Sequence, residues 1–202
     1  MAITLMILAL SACASPAGPE FAPGGGGTTT KALPATSSAP GIETITAAPG
    51  LQIAIDWPSD RNKMIKAFTD NYVDQWRAVG TAGVDDTYLD SVEEPANRDA
   101  YRWVWSFLKG KQSAQGTAKL YALRVASVTG RGAEINACVD TSGIRVTDAT
   151  GAPIDDQPAW TASPQSTYFQ VAAVRRGDDG AWRVKLFRHA SYPDERAKEC
   201  LR

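Results

Sequence analysis

From residue 63 onward, apolar side chains recur every three or four positions. Ile65, Phe68, Tyr72, Trp76 and Val79 fall on one stripe, which predicts an amphipathic helix. Pro58-Ser59-Asp60 supplies its start, with Ser59 or Asp60 as N-cap, and Gly80 and Gly83 end the pattern. A second helix is expected after the capping-box pattern Ser91-x-x-Glu94 and Pro95, with Tyr101, Val104, Trp105 and Leu108 on one face and Lys109-Gly110-Lys111 closing it. Beyond that point the period changes to two. Residues 117–129 alternate at Tyr121, Leu123 and Val125, and residues 133–139 set Ala133, Ile135, Ala137 and Val139 against Glu134, Asn136 and Cys138. Residues 143–147 continue the strand, and residues 167–175 carry Thr167, Phe169, Val171 and Ala173 on one face. Gly177-Asp178-Asp179-Gly180 is a hairpin turn signal, after which Trp182, Val184 and Leu186 oppose Arg183, Lys185 and Phe187. Residues 52–57 alternate weakly and read as a short edge strand or an extended lead-in. The fold class expected is α+β: N-terminal helices packed on a curved, mainly antiparallel sheet of about four strands, in a single domain over residues 51–202.

The first 50 residues follow neither period. Residues 1–12, MAITLMILALSA, carry no charge and match the apolar core of a signal peptide, too short to span a bilayer. They run into Leu10-Ser11-Ala12-Cys13, which looks like a bacterial lipobox: small residues let a signal peptidase close around the backbone, and the cysteine thiol forms a thioether to diacylglycerol. The basic segment that precedes such a core is absent, so the signal peptide is expected to begin upstream of Met1. Residues 13–50 are expected to be the lipidated cysteine and a Gly/Pro/Thr-rich tether, which includes the run Gly24–Gly27 and cannot bury enough apolar surface to offset its ordering entropy. As a coil it spans about 33 Å root-mean-square. The alternatives are a plain disordered N-terminus and a secretory peptide whose cysteine is incidental.

Composition narrows the function classes. The 202 residues carry 21 basic and 22 acidic side chains, for a net charge of −1, which argues against a nucleic-acid binder. Three cysteines and one histidine cannot supply an all-Cys/His zinc site, and no metal or cofactor is expected. If Cys13 is acylated, Cys138 and Cys200 remain as an even pair, and outside the cytoplasmic membrane a disulfide between them is the expected state. Two free buried thiols are the alternative, and the lack of Cys-x-x-Cys spacing argues against a redox pair.

Helices first and then a long meandering sheet closed by Asp179-Gly180-Ala181-Trp182-Arg183-Val184 resembles the nuclear transport factor 2-like (cystatin-like, cone-shaped) superfamily. With the lipobox at Cys13, the tether, the stretch Phe68–Trp76, the run Ala137-Cys138-Val139-Asp140-Thr141-Ser142 and the turn Asp148–Gly151, the whole chain looks like small actinobacterial lipoproteins carrying such a domain. The resemblance implies a palmitate-type anchor, a location on the outer face of the cytoplasmic membrane and an envelope protein as partner. It does not imply a particular chemistry.

No catalytic residue is assigned. There is no Gly-x-Ser-x-Gly, no His-Glu-x-x-His and no phosphate loop. Alternation places His189 on the face of Arg183, Lys185 and Phe187, away from Trp182 and Val184, as a surface or rim histidine. Asp85-Asp86 has too few oxygen ligands around it for a metal. Arg175-Arg176 with Arg183, Lys185 and Arg188 forms a modest basic strand edge. Tyr72, Trp76 and Tyr121 are the candidate pocket residues, with plain core packing as the alternative. The expected function is a lipid-anchored extracytoplasmic binding or envelope-assembly module. The alternative is an isomerase- or cyclase-type enzyme with a pocket inside the cone, which in that superfamily uses a carboxylate base with Tyr or a protonated acid as oxyanion donor.

Overall fold

Two strands precede the helices. In the computed structural model, which describes residues 41–201, β1 (Gly41–Ala48) and β2 (Leu51–Trp57) form an antiparallel hairpin ahead of α1 (Lys63–Gly80) and α2 (Ala96–Leu108). β3 (Ser113–Thr129), β4 (Gly132–Thr147), β5 (Thr167–Arg176) and β6 (Trp182–Ser191) follow. All six strands belong to one sheet in the order β1-β2-β3-β4-β5-β6, antiparallel except where β2 runs parallel to β3. The domain is therefore α+β as expected, but with six strands rather than about four. The boundary of the tether moves as well. Gly41–Ala48 lies inside the stretch assigned to it, and its β-branched residues Ile42, Thr44, Ile45 and Thr46 pair with β2 instead of remaining open chain. The signal peptide of residues 1–12 and the lipidation residue Cys13 lie outside the described residues.

β2 is an inner strand. Leu51, Ile53, Ile55 and Trp57 point to the helices and are buried, with Gln52 exposed between them. Arg61 lies 4.8 Å over the Trp57 ring and pairs with Glu43 at 2.7 Å, which ties β1 to the start of α1. The N-cap of α1 is Asn62 rather than Ser59 or Asp60. Its side chain accepts hydrogen bonds from the N–H groups of Met64 (3.1 Å) and Ile65 (3.0 Å). Buried Asn71 then clamps the following segment. Its Nδ2 donates to the Tyr88 carbonyl (3.0 Å) and to Ser91 Oγ (2.7 Å), while its Oδ1 accepts from Gln75 (2.7 Å). This brings Ser91–Glu93 alongside β6, where the Val184 N–H donates to the Ser91 carbonyl (2.9 Å) and the Glu93 N–H to the Val184 carbonyl (2.8 Å). The outer edge of the last strand is thereby covered at that point.

The Ser91-x-x-Glu94 capping box does not form. The residue before α2 is Pro95, without a side-chain cap, and Glu94 pairs with Arg98 at 3.0 Å instead. The buried stripe of α2 is Ala96, Ala100, Val104 and Phe107. Small alanines let the helix approach closely, and this turns Tyr101 and Trp105 outward, where their rings stack at 6.2 Å.

The sheet has two covered faces. The helices pack on one, over the larger core. On the other, a short turn over Glu195–Cys200 folds against β4 and β5, where Tyr121, Cys138, Phe169, Ala190 and Cys200 form a small separate core. Cys138 and Cys200 are joined as a disulfide there.

Candidate functional site

Between the helices and the sheet lies a cluster of aromatic rings centred on Trp76. Trp103 approaches it edge-on at 4.8 Å, Phe107 at 6.0 Å, Trp160 at 6.2 Å and Tyr72 at 6.4 Å. α1 supplies Tyr72 and Trp76 one turn apart, and α2 supplies Trp103 and Phe107. Trp160 comes from the loop after β4, which the sequence positions by two devices. The Gln157 side chain takes the Val146 N–H (2.9 Å) and donates to the Val146 carbonyl (2.9 Å), as a neighbouring strand would. The Thr141 hydroxyl donates to the Trp160 carbonyl (2.6 Å).

Two buried polar atoms in this cluster, the Tyr72 hydroxyl oxygen and Trp76 Nε1, have no aligned hydrogen-bond partner. The Trp76 indole and the Tyr168 hydroxyl are near enough to act on the Tyr72 oxygen, but neither is aligned to bond it. Burial pushes the Tyr72 phenol up to about 12, only partly opposed by those two neighbours. Burial, then the neighbouring Tyr72, pushes Tyr168 well above the ordinary tyrosine value. Both phenols therefore stay protonated at neutral pH and act as donors. Asp74, raised by burial and drawn down by Arg77, is bonded to that arginine on α1.

Of the expected pocket residues, Tyr72 and Trp76 meet in this cluster and Tyr121 does not. A register shift between Tyr121 and Arg124, with Ala122 at φ +51°, breaks the alternation that set Tyr121 beside Leu123. Leu123 stays in the larger core, and Tyr121 turns to the other face, where its hydroxyl donates to the Cys200 carbonyl (2.5 Å). A second bulge moves His189 the other way. The register shift between Ala173 and Val174 puts Phe187 opposite Ala172 and Val184 opposite Val174, both on the helix side. His189, two residues after Phe187, shares that face with Trp182 and Val184. It meets the Tyr168 ring edge at 6.1 Å and remains exposed. The sequence held no signal for either bulge, nor for the part played by Tyr168 and Trp160.

The basic strand edge is largely neutralised from within. Arg175 (3.8 Å) and Lys185 (3.4 Å) face Glu93, Arg131 pairs with Asp178 at 2.7 Å, and Arg183 holds the Asp179 carboxyl down to about 2. Among the described residues no cluster of three or more His, Cys, Asp or Glu is arranged to hold a metal ion, and no helix is long and apolar enough to cross a membrane.

The fold and this site define an α+β domain with a closed aromatic interior and a cystine on its far face. No protein-family model matches the chain, and no curated protein matches it in sequence. Several solved structures are similar in chain path. A candidate aromatic ring hydroxylase from Novosphingobium aromaticivorans is 15% identical over 65% of this chain and 90% of its own, with a TM-score of 0.44. The intermembrane space region of the chloroplast protein ARC6 is 15% identical over 65% and 99%, at 0.42. A ketosteroid isomerase-like protein from Erwinia carotovora atroseptica is 10% identical over 66% and 99%, at 0.40. At such identities and scores no activity transfers to this chain.

Proposed function

We propose that this protein is a lipid-anchored, extracytoplasmic binding or envelope-assembly module built on a cone of the nuclear transport factor 2-like kind, without catalytic activity. The observation that carries the non-catalytic reading is the interior. Its volume is occupied by the rings of Trp76, Trp103, Phe107 and Trp160; the phenols beside them stay neutral, and the one carboxyl that acts on Tyr72, Asp140, is raised by burial but held below its ordinary value by bonds from Ser142 and by Lys119. Proton abstraction needs a base near neutral pH, and a phenol held at about 12 is not one. The Cys138–Cys200 disulfide supports an oxidising compartment.

Expression from a start codon upstream of Met1 in an actinobacterial host, comparing wild type with Cys13→Ala, tests the anchor. Membrane-bound wild type with an acylated N-terminal cysteine by intact mass, and a released or unprocessed mutant, is the expected result. A soluble, unacylated wild type overturns it. One observation favours the isomerase- or cyclase-type alternative: Tyr72 and Trp76 offer two buried donors to a carbonyl oxygen. Turnover of a β,γ-unsaturated ketone that Tyr72→Phe abolishes would establish that reading in place of the non-catalytic one.

A further inference from the structure

A second site lies away from the aromatic interior. A cleft of about 540 Å³ opens where α1 and α2 end, between the β1–β2 turn and the turn that follows β4. That volume lies within the range of small-molecule sites, roughly 300–1,000 Å³. Among its lining residues only Lys111 and Asp148 carry charge. They extend from adjacent strand ends, since Ser113 pairs with Thr147.

Two features of these residues exceed what the fold requires. Lys111 has φ +50°, a left-handed conformation that glycine adopts freely and lysine adopts at a cost. Its neighbour Gly110 has no such φ, so the chain spends a lysine where a glycine would suit. The cation that a helix C-terminus favours is already supplied by Lys109, the C-cap of α2. Lys111 has no ion pair among the described residues, so its ammonium is available to the cleft. The other non-glycine residue at a helix end with positive φ, Ala82 at 54°, lines the same cleft.

Asp148 shows a matching division of labour. Its Oδ1 accepts from the Thr150 N–H (2.8 Å), the Thr150 hydroxyl (2.7 Å) and the Ala152 N–H (3.1 Å), which fixes the turn. Among the described residues its Oδ2 accepts none of these bonds. The Thr150 bonds hold the carboxyl below the usual carboxylate range, so it stays ionised. One unpaired ammonium and one ionised carboxylate with a spare oxygen, within a cleft of otherwise neutral amides, hydroxyls and small apolar groups, are complementary to a ligand that carries both charges.

We propose that this cleft binds a zwitterionic amino acid or short peptide, its carboxylate on Lys111 and its ammonium on Asp148. The inference rests on the reading of the domain as a binding module and not on the Cys13 anchor, so fractionation and titration fail independently.

The test is a titration of the full chain with alanyl-alanine, followed by NMR shift changes. N-acetyl-alanyl-alanine and alanyl-alaninamide serve as probes that each lack one charge. The expected result is saturable binding at the cleft, weakened about tenfold on capping either end. Lys111→Gln should erase the difference between the dipeptide and its amide. Asp148→Asn keeps the Oδ1 turn bonds and should erase the difference from the acetylated form. Lys111→Gly separates function from strain: it should leave the melting temperature equal or higher while binding is lost. No saturable binding, shifts confined to residues outside the cleft, equal binding of all three probes, or full affinity in Lys111→Gly would overturn the proposal.

Discussion

Cutting the link between Cys138 and Cys200 tests how the far face of the sheet is held. The bridge closes a segment of 62 residues, so in the chain-entropy picture it raises the free energy of the unfolded chain by about 4 kcal/mol. For a domain of this length that corresponds to a fall in melting temperature of roughly 8–16 °C. The bridge is not alone in holding the tail. Tyr121 donates to the Cys200 carbonyl at 2.5 Å, and Arg124 pairs with Glu199 at 2.8 Å while lying 5.6 Å over the Phe169 ring. These contacts hold the tail down once the link is gone, so the double variant Cys138→Ala/Cys200→Ala should fold and unfold cooperatively. Urea unfolding of oxidised wild type, reduced wild type and the double variant at neutral pH separates the contributions. Reduction keeps both sulfurs and reports the cross-link, and the alanines add the loss of two fully buried side-chain ends. A loss below about 1 kcal/mol in both arms would refute the reasoning, because it would mean that the unfolded chain is already constrained near this geometry or that the tail is not docked.

Other perturbations probe the helix side. Asn62→Ala removes the acceptor of two amide bonds and should cost about 1 kcal/mol by urea midpoint, whereas Ser59→Ala, outside the cap, should cost little. Tyr72 is held at about 12, above its unfolded value near 10, so the folded state keeps a proton that the unfolded chain has lost. Stability should be whole below about pH 10 and fall as pH rises toward 12, with Tyr72 contributing up to about 1.4 kcal/mol per pH unit and Tyr168, raised further, adding its own share. Tyr72→Phe should reduce that slope in alkaline urea titrations, leaving the share of Tyr168, and, by removing a buried hydroxyl without an aligned partner, be neutral or stabilising at pH 7. Gly80→Ala decides whether β1 is seated. A Cβ there would lie 2.1 Å from the Ala48 Cβ, so the variant should lose about 1–3 kcal/mol, whereas an open helix end would gain up to about 1.

The period of the apolar residues was enough for the elements that bury one regular face. α1 carries its stripe from Ile65 to Val79, because it packs a single side against a single partner layer; β4 and β5 are covered on both faces, by the larger core and by the cystine core, so alternation located the strands without saying which side meets the helices. β1 was hidden because its burial is mostly external: only Ala47 and Ala48 are buried, and Pro, Gly and Thr around it have the composition of open chain. What seats it is pairing with β2 and the Arg61–Glu43 contact, which are long-range facts. α2 misled for a different reason. Its inner stripe is alanine-rich, so hydrophobicity alone pointed to Tyr101 and Trp105, the two large side chains left outside.

The site residues were displaced by the same physical cause on both long hairpins. One extra residue in a strand turns every later side chain to the opposite face, and nothing in the local pattern near Ala122 or Lys185 declares it. On β3 the shift turns Leu123 into the larger core and leaves Tyr121, just before it, on the cystine face, where its hydroxyl holds the tail instead of lining a pocket. On β6 it carries His189 from the basic outer face to the Tyr168 ring. The two bulges thus leave a tyrosine and a histidine on the faces opposite to those expected. The interior keeps neutral phenols and indoles at its centre, with the chain's one imidazole at its rim. An interior filled by rings, with phenols that stay protonated, offers a substrate neither room nor a base, which is why the binding reading is preferred to the enzymatic one.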